Sequence, residues 1–421
     1  MKSRLFLATT LLTSMFLGSR AEAATVFKDE EKGVAVNVGA LLQPWFQMTA
    51  PDGKGEGSPG VGAPDGKSPS WDFFMRRARI LVYGNITKDL AYFVETDQPN
   101  LGKGGDWNQP MFVQDAFFSY TFMPELKVDV GMMLVPLSHH TLEGATGLNA
   151  LDYHADTIRF PAGKVFRDTG IQLRGLAANN LLHYRLGVFE GVRAGAVPAP
   201  TAMGTAGAEP LNSKGLPRFA AQLRFNIMGE EADFFLKGIY FSPKPLISVG
   251  IGADIQPNGV RKVNNEPGLY RALSLDAFVE YPFTADDELI FKGNVFNYGE
   301  GAAVNVNQDT TTGLFTTATG ALPGSTALRT GGTAFYAEAG FRHAWIEPLA
   351  FIDYVKAKDD ALTILAPHVG CNFWINKHTY NIKVDVGYKK TETLTPATAN
   401  AAAVLATTKD ILGTVQGQVF F

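Results

Sequence analysis

The feature that most constrains this chain is the alternation of polar and apolar side chains along runs of about ten residues or more. Between 218 and 227, Arg218 and Arg224 share one face, whereas Phe219 and Leu223 share the other. A strand that crosses a bilayer beside water needs about 9–11 tilted residues, whereas soluble strands usually have about 5–6. The pattern therefore predicts membrane-spanning strands with one lipid-facing side.

Composition supports an all-β chain, with 44 Gly, 30 Phe, 13 Tyr and a single cysteine. We predict a transmembrane antiparallel β-barrel of about sixteen strands, with short periplasmic turns and long outer loops. The predicted strands are 34–48, 72–86, 90–97, 111–122, 126–135, 169–176, 181–190, 217–228, 245–256, 270–283, 288–298, 333–345, 349–356, 362–375, 380–391 and 409–421.

Two places depart from the regular rhythm. The stretch 229–244 contains one strand-like run, 233–242, and we interpret it as a periplasmic connection, because a further crossing would invert every later turn. The outer loop at 357–361 is unusually short. Aromatic residues near the ends of runs suggest belts at the headgroup level; they are Trp45, Tyr83, Tyr120, Trp345, Trp374 and Tyr380.

The two ends of the chain predict export to a bacterial outer membrane. Lys2 and Arg4 precede a short apolar run, and Ala21 to Ala23 form a small-x-small cleavage site. These features indicate a signal peptide over 1–23, cleaved after Ala23, and a barrel over 24–421. The closing strand ends in Phe421, which resembles the assembly signal of Gram-negative outer-membrane proteins.

Several short motifs occur in the order found in one porin family. Arg76-Arg77-Ala78-Arg79 precedes Gly84 and then Lys88-Asp89 and Tyr92; Val130-Gly131-Met132-Met133 precedes Leu134 to Leu137; Arg167-Asp168-Thr169-Gly170 opens another strand; Asp276, Glu280, Tyr281 and Pro282 follow. The chain thus resembles the phosphate-selective porin O/P family. The resemblance implies a sixteen-stranded pore, commonly a homotrimer, which passes phosphate or other small solutes.

Charged residues on the polar face of the predicted strands are the candidate pore-lining groups. The basic set is Arg77, Arg79, Lys127, Arg174, Arg185, Arg218, Arg224, Lys292, Lys383 and Lys389. Four of these arginines lie on three successive strands and should form a patch that attracts oxyanions. The members of this arginine patch are Arg174, Arg185, Arg218 and Arg224. The alternative is that they are solvated lumen residues or pair with acids.

The acidic set lies on neighbouring strands and comprises Asp115, Asp129, Asp254, Asp276, Glu280 and Asp385. The long third outer loop, 136–168, adds Glu143, Asp152 and Asp156 and is a candidate constriction loop. If it folds inward, its acids would face the arginine patch; otherwise it covers the mouth of the pore.

Other functional classes have weaker support. His139, His140 and His154 share the third loop with acids, but their spacing is not diagnostic of a metal site, so we predict neither metal nor cofactor. No catalytic triad pattern is evident, and the net charge of −4 does not favour nucleic-acid binding.

We therefore predict a non-enzymatic outer-membrane porin for passive diffusion of small hydrophilic solutes, with a possible preference for anions such as phosphate or other oxyanions. Its expected surroundings are outer-membrane lipid and small hydrophilic solutes. Two alternatives stay open: a barrel sheath around a partner electron-transfer cytochrome, and an outer-membrane enzyme. The sheath would have a wide barrel without an inward loop, whereas the enzyme would show esterase or protease activity in detergent.

Overall fold

The computed structural model describes residues 24–51, 68–158, 166–192, 212–261, 267–299, 306–308, 315–317, 331–395 and 404–421. The predicted signal peptide therefore lies outside the described residues. The strands are β1 (Ala24–Asp29), β2 (Val34–Pro51), β3 (Ser70–Asn85), β4 (Leu90–Asp97), β5 (Phe112–Met123), β6 (Leu126–Leu134), β7 (Arg167–Ala177), β8 (Leu182–Phe189), β9 (Arg218–Met228), β10 (Leu246–Arg261), β11 (Pro267–Pro282), β12 (Asp287–Tyr298), β13 (Val306–Gln308), β14 (Phe315–Thr317), β15 (Gly332–His343), β16 (Ile346–Ala357), β17 (Leu362–Asn376), β18 (Tyr380–Thr395) and β19 (Val404–Phe420). Short 3₁₀ turns lie at Lys103–Gly105, His140–Leu142 and Lys358–Asp360.

Sixteen antiparallel strands, β2–β12 and β15–β19, form one closed barrel. The last strand closes it by pairing with the first, from Asp410 opposite Pro51 to Phe420 opposite Leu41. A closed sheet pairs every backbone group within the bilayer and leaves no edge. The predicted fold class and strand number are confirmed, and the predicted strands match the sixteen wall strands one for one.

Most connections are short turns at one end of the barrel and longer loops at the other; the exceptions are the long connection 229–245 at the first end and the short ones 262–266 and 358–361 at the second. The short turns include 86–89, 124–125 and 344–345, and the long loops include 98–111 and 135–166. The short loop predicted near 357–361 is present as Lys358–Asp360. In such barrels the short turns are periplasmic, so we name the two ends periplasmic and outer.

The lipid-facing surface of the wall is apolar and exposed, as expected for a barrel in a bilayer. Leu275 is 59% exposed and Val369 is 62% exposed. Three members of the predicted aromatic belts do not belong there: Tyr83 packs inside against Leu81, and Trp45 and Trp374 are only 7% and 4% exposed. The two tryptophans face the interior, where each indole N–H donates a hydrogen bond, to Gln416 and Glu347 respectively.

An additional strand and hairpin accompany the barrel. β1 was not predicted, and it pairs with the first residues of β2, from Asp29 opposite Val34 to Ala24 opposite Val38. Gly33, in the turn between them, has φ of 70°, a left-handed conformation that glycine adopts without steric cost. β13 and β14 form a small separate hairpin. Within the described ranges, no helix is long and apolar enough to span a membrane.

Candidate functional site

Two connections enter the barrel from opposite ends and meet inside it. One is loop 3, which joins β6 to β7 from the outer end and of which the structure describes 135–158 and 166. The other is the inserted segment (229–245), which joins β9 to β10 from the periplasmic end. Leu236 N donates to Leu142 O at 2.9 Å, and Gly144 N donates to Leu236 O at 3.0 Å. Gly238 N donates to Gly147 O at 2.8 Å. The two connections are therefore hydrogen-bonded to each other inside the barrel, and we call them together the internal partition.

The inserted segment is held inside by its apolar side chains. Leu236 and Ile239 have no exposed surface, and Phe235 packs against Phe93 of the wall at 5.0 Å between ring centroids. Phe234 stacks on Phe117 at 4.3 Å. Burying each such side chain stabilises the arrangement by about 1.5–3 kcal/mol. The segment does not cross the membrane, as predicted, but its fold into the lumen was not predicted.

Loop 3 crosses to the far wall of the barrel. Asn149 Nδ2 donates to Glu338 Oε1 at 2.9 Å and to Glu347 Oε1 at 2.8 Å. Lys383 Nζ donates to the carbonyl oxygen of Ala150 at 3.0 Å. These contacts correspond to a loop that folds into the barrel rather than one that only covers the mouth of the pore.

Two of the three histidines of loop 3 each lie between two carboxylates. His139 lies between Glu143 (2.9 Å) and Glu231 (2.7 Å), and His154 lies between Asp353 (2.6 Å) and Glu338 (3.1 Å). Burial disfavours the charged imidazole, but the two carboxylates outweigh it and raise the pKa of His154 to about 9. His154 is therefore a cation at neutral pH.

His140 has the opposite electrostatics. Burial lowers its pKa to about 4, so its ring is neutral, and its Nε2 accepts a hydrogen bond from His154 N at 2.9 Å. Burial would raise the pKa of Glu143, but Lys292, 3.2 Å away, and the adjacent histidines hold it well below its usual range. Among the described residues, no group of histidine, cysteine and acidic side chains is arranged to hold a metal ion.

The predicted arginine patch is buried, and most of it is paired. Arg174 Nε donates to Asp129 at 2.7 Å, and Arg218 Nε donates to Asp254 at 2.8 Å. The guanidinium of Arg224 pairs with Glu231 and, more closely, with Asp276. For these three arginines the structure corresponds to the pairing alternative rather than to free charges along a pore.

Arg185 differs from its neighbours. Its Nη2 donates to the carbonyl oxygens of Asp233 and Phe234, each at 2.8 Å, and its guanidinium lies over the Phe234 ring. Its Nε and Nη1 are buried and donate to no group in the described part of the chain. No described carboxylate forms an ion pair with it, so its positive charge lacks a directly bonded counterion, and Asp129 acts on it only from a greater distance.

The remaining predicted residues also lie inside the wall, since they are buried or half-buried while outward side chains are exposed. Their partners are Gln43 and Asp152 for Arg77, Glu95 and Asp97 for Arg79, Arg167 for Asp115, Glu143 and Glu338 for Lys292, the N–H groups of Tyr240 and Ser242 for Glu280, His368 for Asp385, and Asp156 for Lys389. Lys127 is half-buried on β6.

Two of the three predicted acids of loop 3 bind basic residues outside the arginine patch, whereas Glu143 shares His139 with Glu231, which pairs with Arg224. Asp152 binds Arg76 and Arg77 on β3, and Asp156 binds Lys389 on β18. Sequence reasoning missed several acids that complete the network, namely Glu231, Glu338, Glu347 and Asp353. For two of them the sequence held a signal, because Glu338 and Asp353 occupy inward-facing alternate positions on β15 and β16.

The comparisons with known proteins agree with this architecture. The family model described as phosphate-selective porin O and P matches residues 61–233. No curated protein matches the sequence.

Solved structures with the same fold include three proteins of low sequence identity. The anion-selective porin from Comamonas acidovorans is 10% identical, with a TM-score of 0.55 over 92% of this chain and 100% of that chain. Salmonella typhi OmpF, in complex with daunomycin, is 10% identical, with a TM-score of 0.55 over 94% of this chain and 100% of its own. Pseudomonas putida OprB is 8% identical, with a TM-score of 0.52 over 91% of this chain and 94% of its own. The closed sixteen-stranded wall and the family match together identify the chain as an outer-membrane porin that resembles the phosphate-selective porin O and P family.

Proposed function

We propose that this porin passes small hydrophilic solutes by passive, non-enzymatic diffusion and prefers anions such as phosphate or other oxyanions. The observation that carries the preference is the charge of Arg185, which lacks a directly bonded counterion where the inserted segment meets the wall. The description of the matched family and the anion-selective porin of the same fold support the same solute class.

The physical argument concerns the field inside a narrow lumen. Arg174, Arg218 and Arg224 are compensated by nearby carboxylates, so at a distance their fields largely cancel. Arg185 lacks such a partner among the described residues, and it is the register neighbour of Arg174. A fixed positive charge lowers the energy of an anion in the passage and raises that of a cation.

The test is the reversal potential of the purified mature protein in planar bilayers under a salt gradient. We expect wild type to prefer anions and Arg185→Gln to lose much of that preference at 0.1 M salt, where the Debye length is about 10 Å. Near 1 M, where it is about 3 Å, the two should converge. Arg185→Lys keeps the charge and is the matched control.

A wild-type pore that prefers cations would contradict the anion preference, and so would unchanged selectivity in Arg185→Gln at low salt. Arg218 and Arg224 are unsuitable for this test, because their removal would leave buried carboxylates unpaired. Breaking a buried pair in this way costs about 3–5 kcal/mol.

We further infer export with cleavage after Ala23, and assembly as a homotrimer in the outer membrane. A cytochrome sheath is disfavoured because loop 3 and the inserted segment occupy the lumen themselves. Crosslinking in native outer membranes and N-terminal sequencing of the mature protein would test the oligomer and the cleavage site.

A further inference from the structure

A partly enclosed cavity of about 140 Å³ lies between the wall strands β2–β4 and the internal partition. Apolar side chains make up most of its lining, including Leu41, Leu81, Phe93 and Phe235. The loop 3 backbone at 144–146 forms another side. An apolar cavity inside a porin is unexpected, because the lumen of such a barrel is polar by default.

The size of the cavity selects its occupant. An apolar protein cavity of about 150 Å³ lined by Leu, Ile and Phe stays dry and binds benzene. The present cavity has nearly that volume and a similar apolar side, where the rings of Tyr83 and Phe93 are 6.1 Å apart, while charged side chains form its other side. It can therefore take one aromatic ring or a group of similar size.

One edge of the cavity is polar and is formed by the charged side chains of Arg79, Glu95 and Arg167. Arg79 lines it, and the buried Nε of Arg79 donates to no group of the described residues. The other guanidinium nitrogens of Arg79 bind Glu95 and Asp97. Because this Nε has essentially no exposed surface, an oxygen acceptor in the cavity would reach it after a small rotation of the Arg79 side chain, which would give the buried N–H the partner it lacks.

The surrounding charges favour a neutral molecule. Two guanidinium groups, Arg79 and Arg167, are matched by the carboxylates of Glu95, Asp97 and Asp115. No surplus positive charge is left for an anionic ligand, and Glu95 itself lines the cavity. A carboxylate placed against Arg79 would meet that acid.

We propose that this cavity is a binding site for small neutral aromatic compounds that carry a hydrogen-bond acceptor. The ring packs among Leu41, Leu81, Phe93 and Phe235, and the acceptor takes the Nε–H of Arg79. Such a site would retain neutral aromatic solutes inside the lumen. The proposed site rests on the proposed porin function but not on the anion preference.

The test is equilibrium binding to the full mature protein in detergent, measured by calorimetry with three probes. Benzamide has a ring and a neutral acceptor, acetamide lacks the ring, and benzoate carries a charge. Benzamide should bind at least ten times more tightly than either other probe. Ala145→Leu fills the cavity from loop 3 and should weaken benzamide binding at least tenfold. Ala221→Leu, on β9 outside the cavity lining, is the matched control and should bind as wild type does.

If Ala145→Leu fails to assemble, Phe235→Ala removes one wall of the cavity and should weaken benzamide binding at least threefold. Equal binding of benzamide and benzoate, or wild-type binding by the assembled variants, would overturn the proposal. So would no binding of benzamide. Salt conductance of the same preparations is measured separately: a pore that conducts without binding benzamide refutes only this site, whereas absent conductance refutes the proposed function.

Discussion

The attachment of loop 3 to the far wall should weaken at alkaline pH, and His154 should set the range. This imidazole is 1% exposed, lies between Asp353 and Glu338, and stacks on Tyr336 at 4.0 Å between centroids. Its pKa is raised from 6.5 to about 9. The charged form therefore stabilises the docked loop fully below pH 6.5, and this stabilisation is lost as pH rises through 9.

The magnitude follows from the shift. Each pKa unit corresponds to about 1.4 kcal/mol, so complete deprotonation removes about 3 kcal/mol of docking free energy. That is roughly a three-hundredfold change in the ratio of docked to released loop. Lys292, which pairs with Glu338 at 3.3 Å and with Glu143 at 3.2 Å, remains and keeps part of the attachment.

The assay is single-channel recording between pH 6 and pH 10 in 1 M salt, where surface charge is screened. Wild type should be quiet at pH 7 and show added conductance fluctuations as pH passes about 9. His154→Gln should fluctuate at pH 7 already and lack the alkaline transition. His343→Gln, which removes an exposed histidine paired with Asp287, is the control and should behave as wild type. A flat wild-type profile, or a His154→Gln variant that keeps the transition, would refute the reasoning.

Two further predictions concern the wall and the orientation of the chain. Leu275→Arg places a charge on the lipid face and should cost about 2–4 kcal/mol near the midplane, which lowers the yield of heat-resistant folded barrel; Gln47→Arg, on the inner face, should assemble, and equal yields would contradict the assigned register. After Cys371→Ser, a cysteine at exposed Lys244 should resist an impermeant thiol reagent on intact cells and react after permeabilisation, whereas one at Lys358 should react directly; labelling of Lys244→Cys on intact cells would invert the topology.

The wall could be predicted from sequence because lipid imposes a strict rule on it. Each spanning strand must alternate, so both its length and its inward face are readable from one chain. The strand predicted at 288–298 is observed as Asp287–Tyr298, and the one predicted at 362–375 as Leu362–Asn376. The indoles of Trp45 and Trp374 were misplaced because position near a run end does not reveal which face an aromatic residue occupies.

The contents of the lumen could not be predicted in the same way. Alternation gives the face of Arg224 but not the stagger between strands, which decides that its partner is Asp276. Glu231 reaches Arg224 only because the inserted segment turns inward. A signal for that turn was present: Phe234, Phe235 and Leu236 are consecutive in a connection that would otherwise expose them to water.

The strands that close the barrel, β19 and β2, are hydrogen-bonded to loop 3 as well as to each other. Gln43 of β2 donates to Ala145 O at 3.4 Å, and Gln418 of β19 donates to Thr146 O at 3.1 Å, so one short stretch of loop 3 holds strands from both margins of the closure. The two glutamines also bond to each other at 2.8 Å. Because these strands lie at opposite ends of the sequence, their union bears a large loop-closure entropy. Pore width and closure of the barrel are therefore coupled. A deletion in loop 3 that widens the pore would also remove hydrogen bonds that hold β19 and β2 together.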